Sequence, residues 1–443
     1  MPKDTEEVIQ ELNKHKIEFT QLQFTDIQGT IKSVTAPRKK LEEALEVGIW
    51  FDGSSIEGFT RIAESDMILR PDCSTFQVLP ETAGETVTAR MICDVHTPEN
   101  QPFEGDPRQV LKKAVEKADK LGYIFNVGPE LEFFLFKQKE GKEIISATHD
   151  KAGYFDFAPK DQAMQVRKDI IRGLQNMGLE IEMAHHEVAP GQHEIDYKYG
   201  EALKTADRAI TFKHIVKSVA TKHGLHATFM PKPLFGESGS GMHVHQSLFD
   251  KEGTNLFFDK DGNYKLSELA QQFIAGQLKH ARAMSAVVAP TVNSYKRLTP
   301  GFEAPIYICW GQTNRSALIR IPRYSIGREQ STRAELRCPD PSCNPYLAFA
   351  VMLEAGLNGI EKKLLPPEPI EGNVYELDND QLKENGIKKL PRSLGEAIKA
   401  LEQDKVIKGA LGSHITKKFI RAKKAEYEKY RLQVTPWEIE TYF

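Results

Sequence analysis

The period of apolar positions changes repeatedly over the first hundred residues. Val8, Ile9 and Leu12 fall on one side of a helical wheel inside the charged start "MPKDTEEVIQELNKHKIEF", which predicts a short amphipathic helix. Alternation then takes over. A strand is expected in "KIEFTQLQFTD", a turn at Gly29, a second strand, and further strands near "TFQVLP" and "TVTARMICDV". This is the pattern of a small α+β domain. Pro98, Pro102, Gly105 and Pro107 then follow in close succession, with Asp106 as N-cap and Pro107 as first residue of a helix over "RQVLKKAVEKADKLG" that Gly122 stops. The domain boundary is placed near residue 104, giving domains over 1–104 and 105–443.

Beyond it, strands and helices alternate. "YIFNVGPELEFFLF" reads as a strand, "DQAMQVRKDIIRGLQNMG" as a helix, and "LEIEMAHHEVAPGQHEIDYKY" as extended chain. The helix "ALKTADRAITFKHIVKSVATKHG" leads to strand-like "HATFMPKPL" and "GSGMHVHQSLF", then "RSALIRIP" and "STRAELRC". The chain ends in a basic helix with an aromatic tail. No repeat, coiled coil or low-complexity segment is visible.

Within "GPELEFFLF", Glu130 and Glu132 are two apart and share one face of the strand, ~7 Å from each other. At an effective dielectric of about 20 their repulsion is on the order of 2 kcal/mol. A wet sheet face would tolerate the pair, and so would a bound cation with further ligands elsewhere.

Composition narrows the choice. The 443 residues suffice for two or three domains with proper cores, and 40% apolar with 27% charged residues is ordinary for a globular protein. A net charge of −3 leaves no basic footprint for nucleic acid. Five cysteines without metal-binding spacing suit a reducing compartment. Neither a signal peptide nor a membrane-length apolar run is seen, so a soluble, cytoplasmic protein is expected.

Three more strand-like segments extend the Glu-x-Glu pattern. Glu187 and Glu194 flank an Ala-Pro-Gly turn in "HHEVAPGQHEID"; His243 and His245 share a face in "GMHVHQS"; Arg333, Glu335 and Arg337 share one in "STRAELR". Singly, each fits a surface turn, a satisfied polar histidine or a cross-strand ion-pair ladder. Together they supply five carboxylates and a histidine. That oxygen-rich, thiolate-free set suits Mg²⁺, with Mn²⁺ admitted by the histidine, and its acidity implies more than one ion. The arginines Arg297, Arg315, Arg320, Arg333 and Arg337 add what phosphoryl transfer needs, and no P-loop motif is present.

These segments, with "FDGSSIEGF" at 51–59, "NSYKRLTPGFEAP" at 293–305 and "NRSALIRIP" at 314–322, make the chain resemble type I glutamine synthetases over essentially its whole length. The resemblance implies an α+β fold: a small N-terminal β-grasp-like domain, then a large catalytic α/β domain with a curved antiparallel sheet. It implies ATP-dependent joining of ammonium to L-glutamate through γ-glutamyl phosphate, with two or more Mg²⁺ or Mn²⁺ per site. One metal site is expected to use Glu132, Glu187 and Glu194, the other Glu130, His243 and Glu335. Gly239, Arg297 and Arg337 match glutamate-binding positions. Glu182, Tyr199, His245, Ser247, Arg315, Arg320 and Arg333 match ATP-binding ones. Asp52, Ser55, Tyr154 and Glu303 match the ammonium pocket, with Asp52, Glu303 and Arg315 in catalytic roles.

Ser238 stands where the family commonly has Asn, and Tyr375 stands near the position of an adenylylated tyrosine in different surroundings. The chain looks closer to the unadenylylated alpha subdivision, where Arg61 would serve feedback inhibition. The resemblance further implies a dodecamer of two hexameric rings and admits small regulatory proteins. A γ-glutamyl-amine ligase of the same family and a non-catalytic structural or regulatory relative are the alternative readings.

Overall fold

The computed structural model describes residues 4–59, 66–79, 87–138, 144–302, 304–372, 374–376, 379–384 and 386–443; Arg61 and Glu303 lie outside them. The amphipathic helix forms over Thr5–Lys14, opened by a capping box between Asp4 and Glu7, with Val8 and Leu12 buried. It covers part of a six-stranded sheet. Strand Phe19–Thr25 pairs antiparallel with Ile31–Pro37 and parallel with Thr88–His96. On the far side Asp66–Pro71 and then Ile49–Asp52 add antiparallel strands, leaving Ile49–Asp52 at the edge. Leu22, Phe24, Leu41, Met91 and Val95 fill the core beneath. This mixed sheet under a helix is the β-grasp arrangement expected.

The second sheet has eleven strands, built around Ile124–Gln138, the long strand that contains Glu130 and Glu132. Met242–Phe249 lies antiparallel on one side of it, and Gln192–Tyr197, followed by Ile181–His186, on the other. Beyond Met242–Phe249 come Ala334–Leu336 and Ala317–Arg320, again antiparallel. The next pair, Tyr307–Gly311 with Ala317–Arg320, is parallel, so the curled sheet is mixed at that end rather than wholly antiparallel.

Behind the sheet, helices Glu268–Val288 and Pro345–Glu361 are buried on nearly all sides. They touch backbone to backbone: a Cβ on Gly276 would lie 2.1 Å from the carbonyl of Ala355 and 2.7 Å from the amide of Gly359. Only a residue without a side chain permits that approach.

The two sheets are fastened by one guanidinium. Arg108, at the start of helix Pro107–Lys120 and 3% exposed, reaches Asp72 at 2.8 Å and Asp94 at 2.7 Å on the small-sheet side. On the other side it grips Asp207 of helix Ala202–Lys222 through Nε at 3.0 Å and Nη2 at 2.9 Å. Tyr346 donates to the same Asp207 at 2.6 Å. Burial opposes a charged Arg108, yet Asp207 and Asp94 outweigh it and hold the proton more firmly than usual. Arg108→Met keeps the apolar stem and takes the shared cation from three aspartates, leaving Asp94 with Lys112 and Asp207 with Tyr346. It should destabilise the protein by about 3–5 kcal/mol, as breaking a buried pair does. Calorimetric melting of the purified variant checks this; a change under about 1 kcal/mol would mean water already compensates these carboxylates.

Candidate active site: two carboxylate clusters across one strand

Glu130 and Glu132 are brought to one face of Ile124–Gln138, as their spacing requires, and each meets a different neighbouring strand. His243 stands opposite Glu130 in the register with Met242–Phe249, and Glu194 opposite Glu132 in the register with Gln192–Tyr197. The long strand therefore divides the acidic face into two clusters.

In the first, ligand atoms of Glu130, His243 and Glu335 converge within 4.8 Å of one another. Its charges are already compensated. Glu335 is bound by Arg337 at 2.5 Å and by Arg320 at 2.6 Å. Glu130 meets His245 Nε2 at 2.7 Å and His243 Nδ1 at 3.3 Å. Arg333 does not join Glu335; its Nε donates to His245 Nδ1 at 3.0 Å. Arginine can only donate, so Nδ1 is the acceptor and His245 carries on Nε2 the proton that it gives to Glu130. Burial alone would push both carboxyls up, but His245 and His243 hold Glu130, and Arg337 and His245 hold Glu335, below the usual range.

In the second cluster no arginine is hydrogen-bonded to Glu132 or Glu194 among the described residues. His185, Glu187 and Glu194 bring their ligand atoms together within the same limit. Glu132 adjoins them, its Oε2 accepting from Gln192 Nε2 at 2.8 Å and from the amide of Gly241 at 3.0 Å. Burial, with Glu132 and Asp196 adding repulsion, drives the Glu194 carboxyl up to about 11. Burial and Glu187 carry Glu132 up to about 8 against the pull of Arg297. Burial lowers His185, leaving a neutral imidazole fit to ligate. His185 was not among the expected ligands. The signal for it lies in "HHE": residues 185 and 187 share a strand face, and His185 faces Glu194 across the hairpin.

Gly241 lies in the seam between the clusters. A Cβ there would stand 2.6 Å from Arg297 Nη2, 3.0 Å from His243 Nε2 and 3.2 Å from Glu132 Oε1. An oxygen-rich, thiolate-free donor set, buried, over-acidic and kept clear by a glycine, fits divalent cations. Arg297 is buried beside it but gives three bonds to the carbonyls of Arg337, Cys338 and Pro339, at 3.0–3.1 Å. Gly239 holds its loop to Gln192, whose Nε2 reaches the Gly239 carbonyl at 3.1 Å.

A cavity of about 410 Å³ opens beside the first cluster; Glu182, Asp196, Tyr199, His245, Ser247 and Arg333 are among its lining residues. Five of these six are expected ATP-binding residues, and Asp196 is an addition. Tyr154 lies over the second cluster, its ring 5.7 Å from that of His185. Its segment is anchored by Asp150, which accepts from the amides of Gln162 and Gly191 and from His186 Nε2, each at 3.1 Å. Arg315 is exposed in the turn before strand Ala317–Arg320. Asp52 and Ser55 are exposed on the small-sheet side, with Asp52 at the end of edge strand Ile49–Asp52.

Family models match both parts of the chain: "Glutamine synthetase, beta-Grasp domain" over residues 16–98 and "Glutamine synthetase, catalytic domain" over residues 104–442. The chain belongs to the glutamine synthetase family. A glutamine synthetase of Thermus thermophilus is 54% identical over 441 residues, covering 98% of each chain. One of Clostridium saccharobutylicum is 52% identical over 437 residues, covering 99% of this chain and 98% of that one. Among solved structures, GmaS without ligand superposes with a TM-score of 0.88 at 34% identity, covering 99% of both chains.

The second cluster sets a pH dependence. Glu132 has an ordinary value of 4.5 and is raised to about 8 in the fold, so over that window the folded state holds protons that the unfolded state has released. Stability of the metal-free protein should therefore fall as pH rises from about 4.5 to about 8. A divalent cation must displace those protons, so its stabilising effect should grow with pH over the same window. Melting curves from pH 5 to 8, with chelator and with Mg²⁺, check both; parallel curves would count against the cluster.

Proposed function

We propose that this chain is a glutamate–ammonia ligase, forming L-glutamine from L-glutamate and ammonium at the expense of ATP, through γ-glutamyl phosphate. The observation that carries the reading is the pair of carboxylate clusters divided by one strand, beside a cavity lined with the expected nucleotide contacts. Glutamate's γ-carboxylate is a poor electrophile, and transfer of the terminal phosphate from ATP makes it a good one. Glu130, His243 and Glu335 would hold one divalent cation, and Glu132, Glu187 and Glu194, joined by His185, the other. Bound there, Mg²⁺ or Mn²⁺ supplies positive charge to the phosphate and carboxylate oxygens.

The chain's own groups do the rest. Glu182, Tyr199, His245, Ser247, Arg320 and Arg333 receive ATP, and Arg315 joins them at the transferring phosphate. Gly239, Arg297 and Arg337 orient glutamate. Asp52, Ser55, Tyr154 and Glu303 form the ammonium pocket, where Asp52 takes the proton that turns ammonium into a nucleophile. Arginine charge stabilises the transferring group in place of a covalent protein intermediate.

We assign the chain to the unadenylylated alpha subdivision, with Arg61 serving feedback by glutamine. The engagement of Tyr375 supports this, since its hydroxyl donates to the carbonyl of Ala304 and its ring packs against Tyr307. The assembly we propose is a cytoplasmic dodecamer in which the small domain, over residues 1–104, completes the site of a ring neighbour. Edge strand Ile49–Asp52, with Trp50 58% exposed, is the surface available for that.

Asp52→Asn keeps size and removes the charge. Glutamine formation should drop by about 10²-fold or more with ATP binding retained; equal loss of ATP affinity would make Asp52 a nucleotide-site or folding residue. Substituting methylamine for ammonium should give little product, and preference for the amine would support a γ-glutamyl-amine ligase instead. Asp52→Ala and Glu335→Ala subunits, each inactive alone, should regain about a quarter of intact sites when reassembled together. A mixed assembly, verified by mass, that recovers nothing would place both residues in one subunit's site.

A further inference from the structure

Lys232 lies in the loop between strands Leu225–Thr228 and Met242–Phe249, one residue after Pro231. Its main chain is clamped at two points: its amide donates to Asn293 Oδ1 at 2.7 Å, and its carbonyl accepts from Asn293 Nδ2 at 3.0 Å. Its ammonium donates to the carbonyl of Glu237 and stands 3.6 Å from the centroid of the Phe302 ring. That distance is well inside the range of a cation–π contact.

The two segments joined here are the ones that wall the reacting end of the site. The loop of Lys232 contains Gly239, is closed by a bond from the amide of Ser240 to the carbonyl of Pro231 at 2.8 Å, and runs on to Gly241 in the seam between the clusters. The segment of Phe302 begins at Asn293 and contains Arg297, whose Nη2 faces that same seam. Asn293 ties the start of its segment to the main chain of Lys232, and the ring of Phe302 ties the end of that segment to the ammonium of the same residue. The ammonium is hydrogen-bonded to the main-chain carbonyl of Glu237, and its other near contact is the Phe302 ring.

We propose that Lys232 is a positioning residue: its ammonium, stacked on Phe302, fastens the 297–302 segment to the glutamate loop and keeps water from the acyl phosphate. The proposal rests on the γ-glutamyl phosphate reading above. If the walls part, a water oxygen attacks the γ-carbonyl carbon and the bond from that carbon to the phosphate oxygen breaks. Glutamate and inorganic phosphate are regenerated, and ATP is consumed with no C–N bond formed.

The measurement is the ratio of ADP to glutamine formed by the full-length, metal-loaded enzyme, with hydroxylamine trapping of the activated glutamate as γ-glutamyl hydroxamate in parallel. Wild type should give one ADP per glutamine. Lys232→Met should raise the ratio about threefold or more while its melting temperature stays near wild type, and Lys232→Arg, which keeps a cation over the ring, should restore it. Phe302→Leu removes the contact from the other partner and should raise the ratio equally, so the test stands even if Lys232→Met fails to fold. The double variant should be no worse than either single one. Hydroxamate formed by wild type, with ratios unchanged in both single variants, would overturn the role of Lys232 alone. If wild type traps no glutamate-dependent hydroxamate, the acyl-phosphate reading fails and this inference falls with it.

Discussion

Repulsion among buried carboxylates is the constraint around which the catalytic half of this chain is arranged. Glu132 and Glu194 face each other across paired strands, each 7% exposed, with Glu187 and Asp196 nearby. Water cannot screen them, and no arginine is bonded to Glu194 among the described residues. On the other side of the same strand, Glu130 and Glu335 are equally crowded but receive His245, His243, Arg320 and Arg337. One face thus holds a cluster whose carboxyls are held below the usual range beside one in which burial and mutual repulsion raise Glu132 and Glu194. The two clusters also differ in surroundings. The first sits beside the 410 Å³ cavity among arginines, and the second beside Gly239, Arg297 and the ring of Tyr154.

Strands are the right support for such a face. Period-two geometry fixes Glu130 and Glu132 on one side whatever happens at the loops, and pairing with Met242–Phe249 and Gln192–Tyr197 fixes what each meets. A one-residue slip of Gln192–Tyr197 would turn Glu194 into the apolar layer and bring Ile195 to the cations. The register is held by that penalty as much as by hydrogen bonds. Three segments outside the strands cross the face: 150–163 with Tyr154, 229–241 with Gly239, and 297–302.

Those same geometries explain what the sequence revealed. The Glu-x-Glu and His-x-His pairs were legible because two-residue spacing is local and unambiguous. The Ala-Pro-Gly turn placed Glu187 and Glu194 on opposite arms of a hairpin. His185 was missed because its role depends on the register that sets it against Glu194, which spacing alone does not fix. Arg108 was hidden for the same reason, since Asp72, Asp94 and Asp207 are distant in sequence and none belongs to a local motif. The helices Glu268–Val288 and Pro345–Glu361 gave little periodic signal because both are buried nearly all round. The Arg-Glu-Arg face of "STRAELR" was half right. Arg337 pairs with Glu335, but Arg333 turns to His245, and Arg320 of the next strand takes its place.

That exchange has a chemical consequence. With Arg333 donating to His245, the imidazole is locked in the tautomer that donates to Glu130, and a chain of contacts runs from the cavity to the first carboxylate cluster. Cluster and cavity are therefore joined by one ring, which Arg333 holds at Nδ1 and which meets Glu130 through Nε2.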